Sequence, residues 1–372
     1  MIILDNNNYL PKYLQVKNFI LKTIDDDGIQ PGDKMPSENE LRERYHVSRH
    51  TIRKALELLE REGLLEKRQG IGTFYQKRQM SLSRNIGFIS ISLYDYIFAD
   101  ILSGIDDILH QNDYQVILGN SKDSIERERL ILEQFLDKNI DGLIIEPAKS
   151  AISHSNAAIL NEFVKRNIPV VVLDSLYPEK QFNYVVVDDQ KGGFLAVDYL
   201  IRMGHSRVAM IYKSAHSPAV ERFKGYKNAL QNADISICSE LIKPYYNSEF
   251  EHPEKFSAEI RRICQQLLEL EEIPTAIFCF NDQTAVLTKE ILSEKGIAIP
   301  DDISLVGFDN SKLVKLNTIS ISSISHPGKK AGEKAAEIIL SQIEGQQVDT
   351  WTKKIFKPDL VKRDSVKKLK EE

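Results

Sequence analysis

The sequence predicts a multidomain protein: a small α+β unit at its start, then a larger α/β unit of two lobes, each a doubly wound parallel sheet. Three observations carry that reading. The chain has 372 residues, enough for two or three domains. Its first eighty residues read as three helices and a hairpin, whereas from about residue 85 onward apolar strands alternate with amphipathic helices. Between the two lies a polar, aperiodic stretch, Q-K-R-Q-M-S-L-S-R at 76–84. The expected division is 9–76 for the small unit, 77–84 for a linker and 85–366 for the larger unit.

The elements of the small unit follow in order. Residues 13–24 space Val16, Phe19, Ile20 and Ile24 as one helical stripe, which Gly28, Pro31 and Gly32 then break. Ser37 and Glu40 stand at the spacing of a capping box and open a short helix over 37–45. Ser48 caps a third helix that runs to about residue 62 and stops at Gly63. Ile52, Ala55, Leu56 and Leu59 form its core face, while Arg49, His50 and Arg53 fall elsewhere. A hairpin over 64–75 has Gly70 and Gly72 at its bend and Lys67, Arg68 and Gln69 near its tip.

That order is a winged helix-turn-helix, so this unit is expected to read double-stranded DNA. The start of a helix in the major groove brings first-turn side chains against base edges. Arginine matches the paired acceptors of guanine, at about 1–3 kcal/mol of discrimination per good contact. Arg49 and Arg53 are the expected base readers, and Ser48, Thr51 and Lys54 the expected phosphate contacts, which set register without reading sequence. Charge agrees. Residues 1–80 hold 14 Lys and Arg against 12 Asp and Glu, net +2, while the remainder holds 35 against 42, net −7. The DNA surface is therefore local to the first unit.

In the larger unit, strands are expected at 86–93, 115–118, 142–145, 170–173, 184–187, 208–212, 276–280 and 304–307. Helices are expected at 101–111, 125–139, 192–203, 220–231 and 283–295. Such alternation builds parallel sheets with ligands at the carboxyl ends of the strands. No G-x-G-x-x-G follows a strand, and no phosphate-binding loop, nucleophile elbow or H-E-x-x-H is present, so neither an enzyme nor a cofactor or metal is expected. The strand ends instead carry groups suited to a sugar: Tyr94, Asp95, Tyr96 and Phe98, then Glu146 and Lys149, Asp188, Asn281 and Asp282, and Asp309, with Arg222 opening a helix. Carboxylates and cations can bond adjacent hydroxyls, and aromatic rings cover the apolar face of a pyranose.

Composition adds exclusions. With 42% hydrophobic and 28% charged residues the chain is of ordinary globular type, and no apolar run approaches the length of a membrane span. Residues 1–10 lack the basic start and apolar run of a signal peptide, which leads to an expected cytoplasmic location at operator DNA. Cys238, Cys264 and Cys279 form no C-x-x-C and are expected to be idle thiols.

From Leu10-Pro11-Lys12-Tyr13 through S-E-N-E-L to G-I-G-T-F, the first unit resembles the DNA-binding domain of the gluconate-repressor (GntR) family. That resemblance implies base contacts from Arg49 and Arg53 and adds Lys12, Glu38, His50 and Gln69 as candidate DNA contacts. Residues 85 to 365 resemble the effector domain of the lactose/galactose-repressor (LacI/GalR) family, itself similar to type I periplasmic sugar-binding proteins. The matching stretches include D-G-L-I-I, E-R-F-K-G-Y, F-N-D-Q-T-A and P-D-D-I-S-L-V-G-F-D-N. It implies lobes of about 85–188 with 326–350 and about 189–325 with 351–366, and effector binding by Arg222 and Asp282. D-Y-I-F at 95–98, E-P-A-K-S-A at 146–151, D-D-Q-K-G-G at 188–193 and S-x-x-H-P at 323–327 are similar to the members that pair these two parts and respond to L-arabinose. The last of these adds His326 to the effector set. The resemblance implies a homodimeric repressor of arabinose uptake and catabolism genes, bound to a palindromic operator and released by L-arabinose. Another pentose, a sugar phosphate or a nucleoside is the alternative effector.

Overall fold

The computed structural model describes residues 12–61, 63–68, 70–76, 82–93, 96–152, 156–177, 182–247, 250–315, 320–344 and 351–369. The chain divides into two compact units after Leu82.

In the first unit, α1 (Lys12–Asp26), α2 (Glu38–Tyr45) and α3 (Arg49–Arg61) precede an antiparallel hairpin of β1 (Leu65–Arg68) and β2 (Gly72–Tyr75). The capping box forms as expected: the Ser37 amide donates to Glu40 Oε2 at 2.7 Å, and the Glu40 amide donates to Ser37 Oγ at 3.3 Å. His46, in the left-handed region at φ 53°, ends α2 and turns the chain toward Ser48, whose Oγ accepts from the Thr51 amide at 3.2 Å. Val16, Ile20 and Ile24 of α1 pack with Leu41, Ile52, Ala55 and Leu59 in one core. Phe19 stays partly buried, stacked on Tyr45 with ring centroids 6.0 Å apart. At the hairpin bend, Gly70 and Gly72 take φ of 75° and 136°, conformations that suit glycine alone among ordinary residues.

The second unit starts earlier than the expected linker end. Residues 77–81 lie outside the described residues, but Ser83 and Arg84 are already tied down: their amides donate to Asp141 Oδ1 and Oδ2 at 3.0 and 2.8 Å. The first lobe then takes β3 (Asn85–Ser90), α4 (Phe98–His110), β4 (Gln115–Asn120), α5 (Ile125–Asp137), β5 (Gly142–Ile145), α6 (Ala157–Lys165), β6 (Val170–Leu173) and β7 (Asn183–Val187). The chain crosses to the second lobe for α7 (Asp189–Arg202), β8 (Val208–Lys213), α8 (Ser217–Asn232), β9 (Ile242–Tyr245), α9 (Pro253–Leu268), β10 (Ala276–Cys279), α10 (Asp282–Glu294), β11 (Ser304–Asp309) and β12 (Ser322–Ser325). It returns for α11 (Gly328–Ile343) and β13 (Lys353–Phe356), and ends in the second lobe with β14 (Leu360–Val361).

The sheet orders are β13-β7-β6-β5-β3-β4 and β14-β12-β11-β10-β8-β9, parallel throughout except for β14. Both faces of each sheet are covered, which is why the central strands are buried end to end. This is the expected two-lobed α/β architecture. One boundary moves: residues 351–366 were expected in the second lobe, yet β13 pairs with β7, from Lys353 opposite Tyr184 to Phe356 opposite Val187. The last crossing therefore falls after Phe356, and the chain passes between the lobes three times. Helices α7 and α8 lie tight together, because a Cβ on Gly193 would meet the Arg222 carbonyl oxygen at 2.2 Å. That close approach seats Arg222 at the lobe boundary.

Candidate functional site

Two sites were expected, one in each unit. In the first, Arg49, His50, Arg53 and Lys54 are exposed on α3, Ser48 precedes them, and Lys67 and Arg68 are exposed on β1. Their charges are not idle. Arg49 Nε donates to Glu38 Oε2 at 3.0 Å, and Lys67 Nζ stands 4.0 Å from the other oxygen of the same carboxylate. Glu38 thereby joins the start of α2, the reading helix and the wing. Arg53 pairs with Glu57 at 3.4 Å, Lys54 sits over the Tyr13 ring at 4.0 Å, and Ser48 Oγ meets Thr51 Oγ1 at 2.8 Å. Exposed pairs of this kind are worth little and exchange readily for phosphate. Lys12, at the start of α1, is exposed; Gln69 lies outside the described residues.

In the second unit the carboxyl ends of both sheets face one cleft. Its walls include Tyr96, Phe98, Glu146, Arg222, Asn281, Asp309 and His326 of the expected set, and they enclose about 760 Å³ with the open mouth. Arg222 is the organising cation. Only 5% exposed, it lies over the Phe308 ring at 3.4 Å and donates to Asp189 Oδ1 at 2.8 Å and to the Phe280 carbonyl at 2.6 Å. Asp309 stands 3.8 Å from its other end and accepts from the Tyr96 hydroxyl, in the opposite lobe, at 2.5 Å. His326 Nε2 meets Asp174 Oδ1 at 3.0 Å, and its buried Nδ1 has no partner among the described residues. Glu146 accepts from Ser90 Oγ and lies at the end of the first lobe's sheet. Asn281 caps α10, its Oδ1 accepting from the Thr284 amide at 2.9 Å.

Burial sets the protonation of these groups. It lifts the Asp189 carboxyl to about 6, although Arg222 pulls the other way. Asp309 is raised by the same cause against Arg222 and His326. For His326, burial opposes the proton but Asp174 outweighs it, and the imidazole is held up to about 9. It is therefore cationic at neutral pH.

Three expected residues stand elsewhere. Lys149, at the left-handed φ of 46°, pairs with Glu251 of the other lobe at 3.0 Å. Asp188 caps α7, accepting from the Lys191 amide at 3.0 Å. Asp282 is wholly buried behind the cleft wall, where burial, with Asp309 nearby, pushes its carboxyl up to about 7. Tyr94 and Asp95 lie outside the described residues.

The structure also brings in residues that the sequence did not single out, Asp174, Lys213, His216, Phe250 and Phe280, and it places Asp189, rather than its neighbour Asp188, in the cleft wall. Lys213 ends β8 with its side chain almost fully buried, and Asp123 of the opposite lobe receives it at 2.9 Å and His216 at 3.1 Å. Burial opposes ionisation of Asp123, yet His216 and Lys213 overcome it and hold the carboxyl far below the ordinary range. Asp174 follows a strand end, a signal that could have been used. Lys213 closes an apolar run and reads as a solvent-facing terminus, so nothing local marks it.

Comparison with known proteins places both units. Residues 12–74 match the bacterial regulatory proteins of the gntR family, and residues 197–366 match a periplasmic binding protein-like domain. The arabinose metabolism transcriptional repressor of Geobacillus stearothermophilus is 35% identical over 365 residues, covering 97% of this chain and 99% of that one. The HTH-type transcriptional repressor PurR of Vibrio atlanticus is 31% identical over 294 residues, covering 77% and 82%. Among solved structures, a LacI family regulator from Enterococcus faecium with bound ribose superposes with a TM-score of 0.65 at 27% identity, over 77% of this chain and all of that one. The regulator CcpA of Lactococcus lactis, at 24% identity and a TM-score of 0.67, covers 76% of this chain and 99% of its own and shares the fold.

Proposed function

Since the chain belongs to the family of arabinose metabolism transcriptional repressors, we propose that it represses genes of arabinose uptake and catabolism and is released from DNA by L-arabinose. In this reading α3 enters the major groove with Arg49 and Arg53 on base edges, and the wing follows the backbone. Two copies bind a palindromic operator in the cytoplasm, because two-fold protein symmetry is mirrored in half-sites.

The observation that carries the effector class is the charge balance of the cleft. Each cation in its wall already faces a carboxylate: Arg222 has Asp189 and Asp309, Lys213 has Asp123, and His326 has Asp174. Glu146 adds a further carboxylate. Among the described residues a phosphate would find acidic groups and no spare cation, whereas a neutral polyhydroxylated ring can donate to the carboxylates and accept from Arg222. The Nδ1 of His326, which has no partner among the described residues, suits a hydroxyl oxygen, since a buried N–H without an acceptor costs about 1–3 kcal/mol. A different pentose is the second reading, favoured by the likeness to the ribose-bound regulator.

Titration calorimetry of the full chain with L-arabinose, D-ribose and a pentose phosphate tests the effector, alongside anisotropy of a labelled operator duplex. The expected outcome is saturable binding of L-arabinose and release of the duplex. Tight binding of the phosphate with no response to either free sugar overturns the effector class and leaves the DNA reading intact.

A further inference from the structure

We infer that Asp282 is a positioning residue: it holds the turn after β11 so that Asp309 presents its carboxylate to the cleft, and it does not itself touch the effector. This rests on the cleft being the effector site.

Asp282 is 0% exposed, and its two oxygens are engaged by the turn and by β12. Oδ2 accepts from the Ser311 amide at 2.6 Å, and Oδ1 accepts from Ser323 Oγ at 2.6 Å. Ser323 Oγ in turn accepts from the Asn310 amide at 2.9 Å. Two successive amides thus hang on one carboxylate, the first directly and the second through a serine. The segment they restrain is the strained one: Asp309 and Asn310 sit in the left-handed region, at φ 102° and 51°. Residues other than glycine hold such conformations where surrounding bonds over-determine them. Here the result is functional, because that bend sends the chain off the end of β11 where Asp309 meets the Tyr96 hydroxyl and faces Arg222.

The strand has been shaped around the carboxylate. A Cβ at Gly307, two residues before Asp309, would lie 2.5 Å from Asp282 Oδ1. Any side chain there displaces Asp282. Its neighbour Asn281 reaches the cleft wall in its place.

Two measurements on the full chain test this. The first needs no sugar: amide hydrogen exchange at Asn310 and Ser311. Asp282→Ala should speed both by about tenfold or more, since their restraints are gone. Asp282→Asn, which still offers an acceptor to Ser311 and a partner to Ser323, should stay close to wild type. The second is a double-substitution cycle read by L-arabinose calorimetry. Asp282→Ala should weaken binding about 30-fold, but less than about threefold when Asp309 is already Asn, because the two act through one interaction. General loosening of the lobe would cost the same in either background. Should Asp282→Ala fail to fold, Ser323→Ala carries the test, with exchange faster at Asn310 and unchanged at Ser311. Unchanged exchange in Asp282→Ala, or at Asn310 in Ser323→Ala, or an undiminished loss in the Asp309→Asn background, overturns the inference. A wild-type chain that ignores L-arabinose defeats the sugar reading instead, and the exchange comparison still decides the role of Asp282.

Discussion

Replacing Arg222 by methionine removes the guanidinium charge from the cleft wall while keeping most of the stem that packs on Phe308. The side chain is almost fully buried, so what is lost can be itemised: the bonds to Asp189 and to the Phe280 carbonyl, the cation over Phe308, and the attraction to Asp309. Hydrogen bonds to charged groups contribute about 1.5–3 kcal/mol each, and a desolvated cation–π contact about 2 kcal/mol. These gains were offset by desolvation of the guanidinium, so they do not simply add. The dominant effect is on the partners left behind, since breaking a buried ion pair from one side costs about 3–5 kcal/mol. Asp189, already raised to about 6 with Arg222 beside it, is pushed further up once that cation is gone, and Asp309 loses the same lowering influence. The variant should unfold at a lower temperature in its sensor unit and bind L-arabinose about 100-fold more weakly, equivalent to about 2.7 kcal/mol. Calorimetry reads the affinity, and operator anisotropy should give wild-type DNA binding with no release by sugar. Sugar affinity within threefold of wild type would refute the assignment of Arg222 as the central effector contact. An equal loss of DNA affinity would show that the change is not confined to the cleft.

The other predictions concern charge elsewhere. Arg49→Ala or Arg53→Ala should cost operator binding at least tenfold in a gel-shift titration, with sugar affinity unchanged; both side chains are more than half exposed, so folding is spared. His326 is raised from its usual 6.5 to about 9, so its ion pair with Asp174 is fully formed below about pH 6.5 and lost as pH climbs through about 9. Thermal stability of the sensor should therefore fall across that window, by about 3 kcal/mol in all, and His326→Gln should flatten the fall. Lys213→Met leaves the buried Asp123 carboxylate with His216 as its remaining side-chain partner, whereas Lys213→Met with Asp123→Leu removes both charges of the pair. The double variant should melt higher than the single one in scanning calorimetry, the reverse of additive damage.

How much of this was legible follows from where each signal resides. The capping box of Ser37 and Glu40, the Ser48 cap and the glycines of the wing are local, and the small unit could be read from them almost element by element. Central strands such as β5 (G-L-I-I) and β6 (V-V-V-L) announce themselves by unbroken apolar runs. Strand β12 reads S-S-I-S and looks like a loop, because the bonds that bury its serines come from Asp282 and from Ser365 far along the chain. Strand β9 contains Pro244, which only an edge strand tolerates, and its edge position is not a local property. The same holds for β13: composition cannot say which lobe's sheet a four-residue strand will join. At the site, sequence reached the right strand ends but not always the right residue. Between Asn281 and Asp282, or Asp188 and Asp189, the choice of cleft-facing side chain depends on the phase at which a helix begins, which motif spacing leaves undetermined.

The charge pattern also bears on how a small neutral ligand could move this molecule. Several of the ion pairs and polar bonds at the cleft are made across it. Asp123 of the first lobe receives Lys213 and His216 of the second, Lys149 meets Glu251, and the Tyr96 hydroxyl reaches Asp309. Parting the lobes breaks these pairs but returns each charge to water, and for buried pairs the regained hydration is comparable to the lost attraction. Such pairs therefore hold the cleft closed far less firmly than their number alone implies. An apolar interface would favour closure more strongly, because it gains from burial without giving up hydration of charge. In the proposed reading, the hydrogen bonds of one pentose, bridging Glu146 of one lobe and Arg222 of the other, would have to supply only the coupling of about 1–3 kcal/mol by which effectors act.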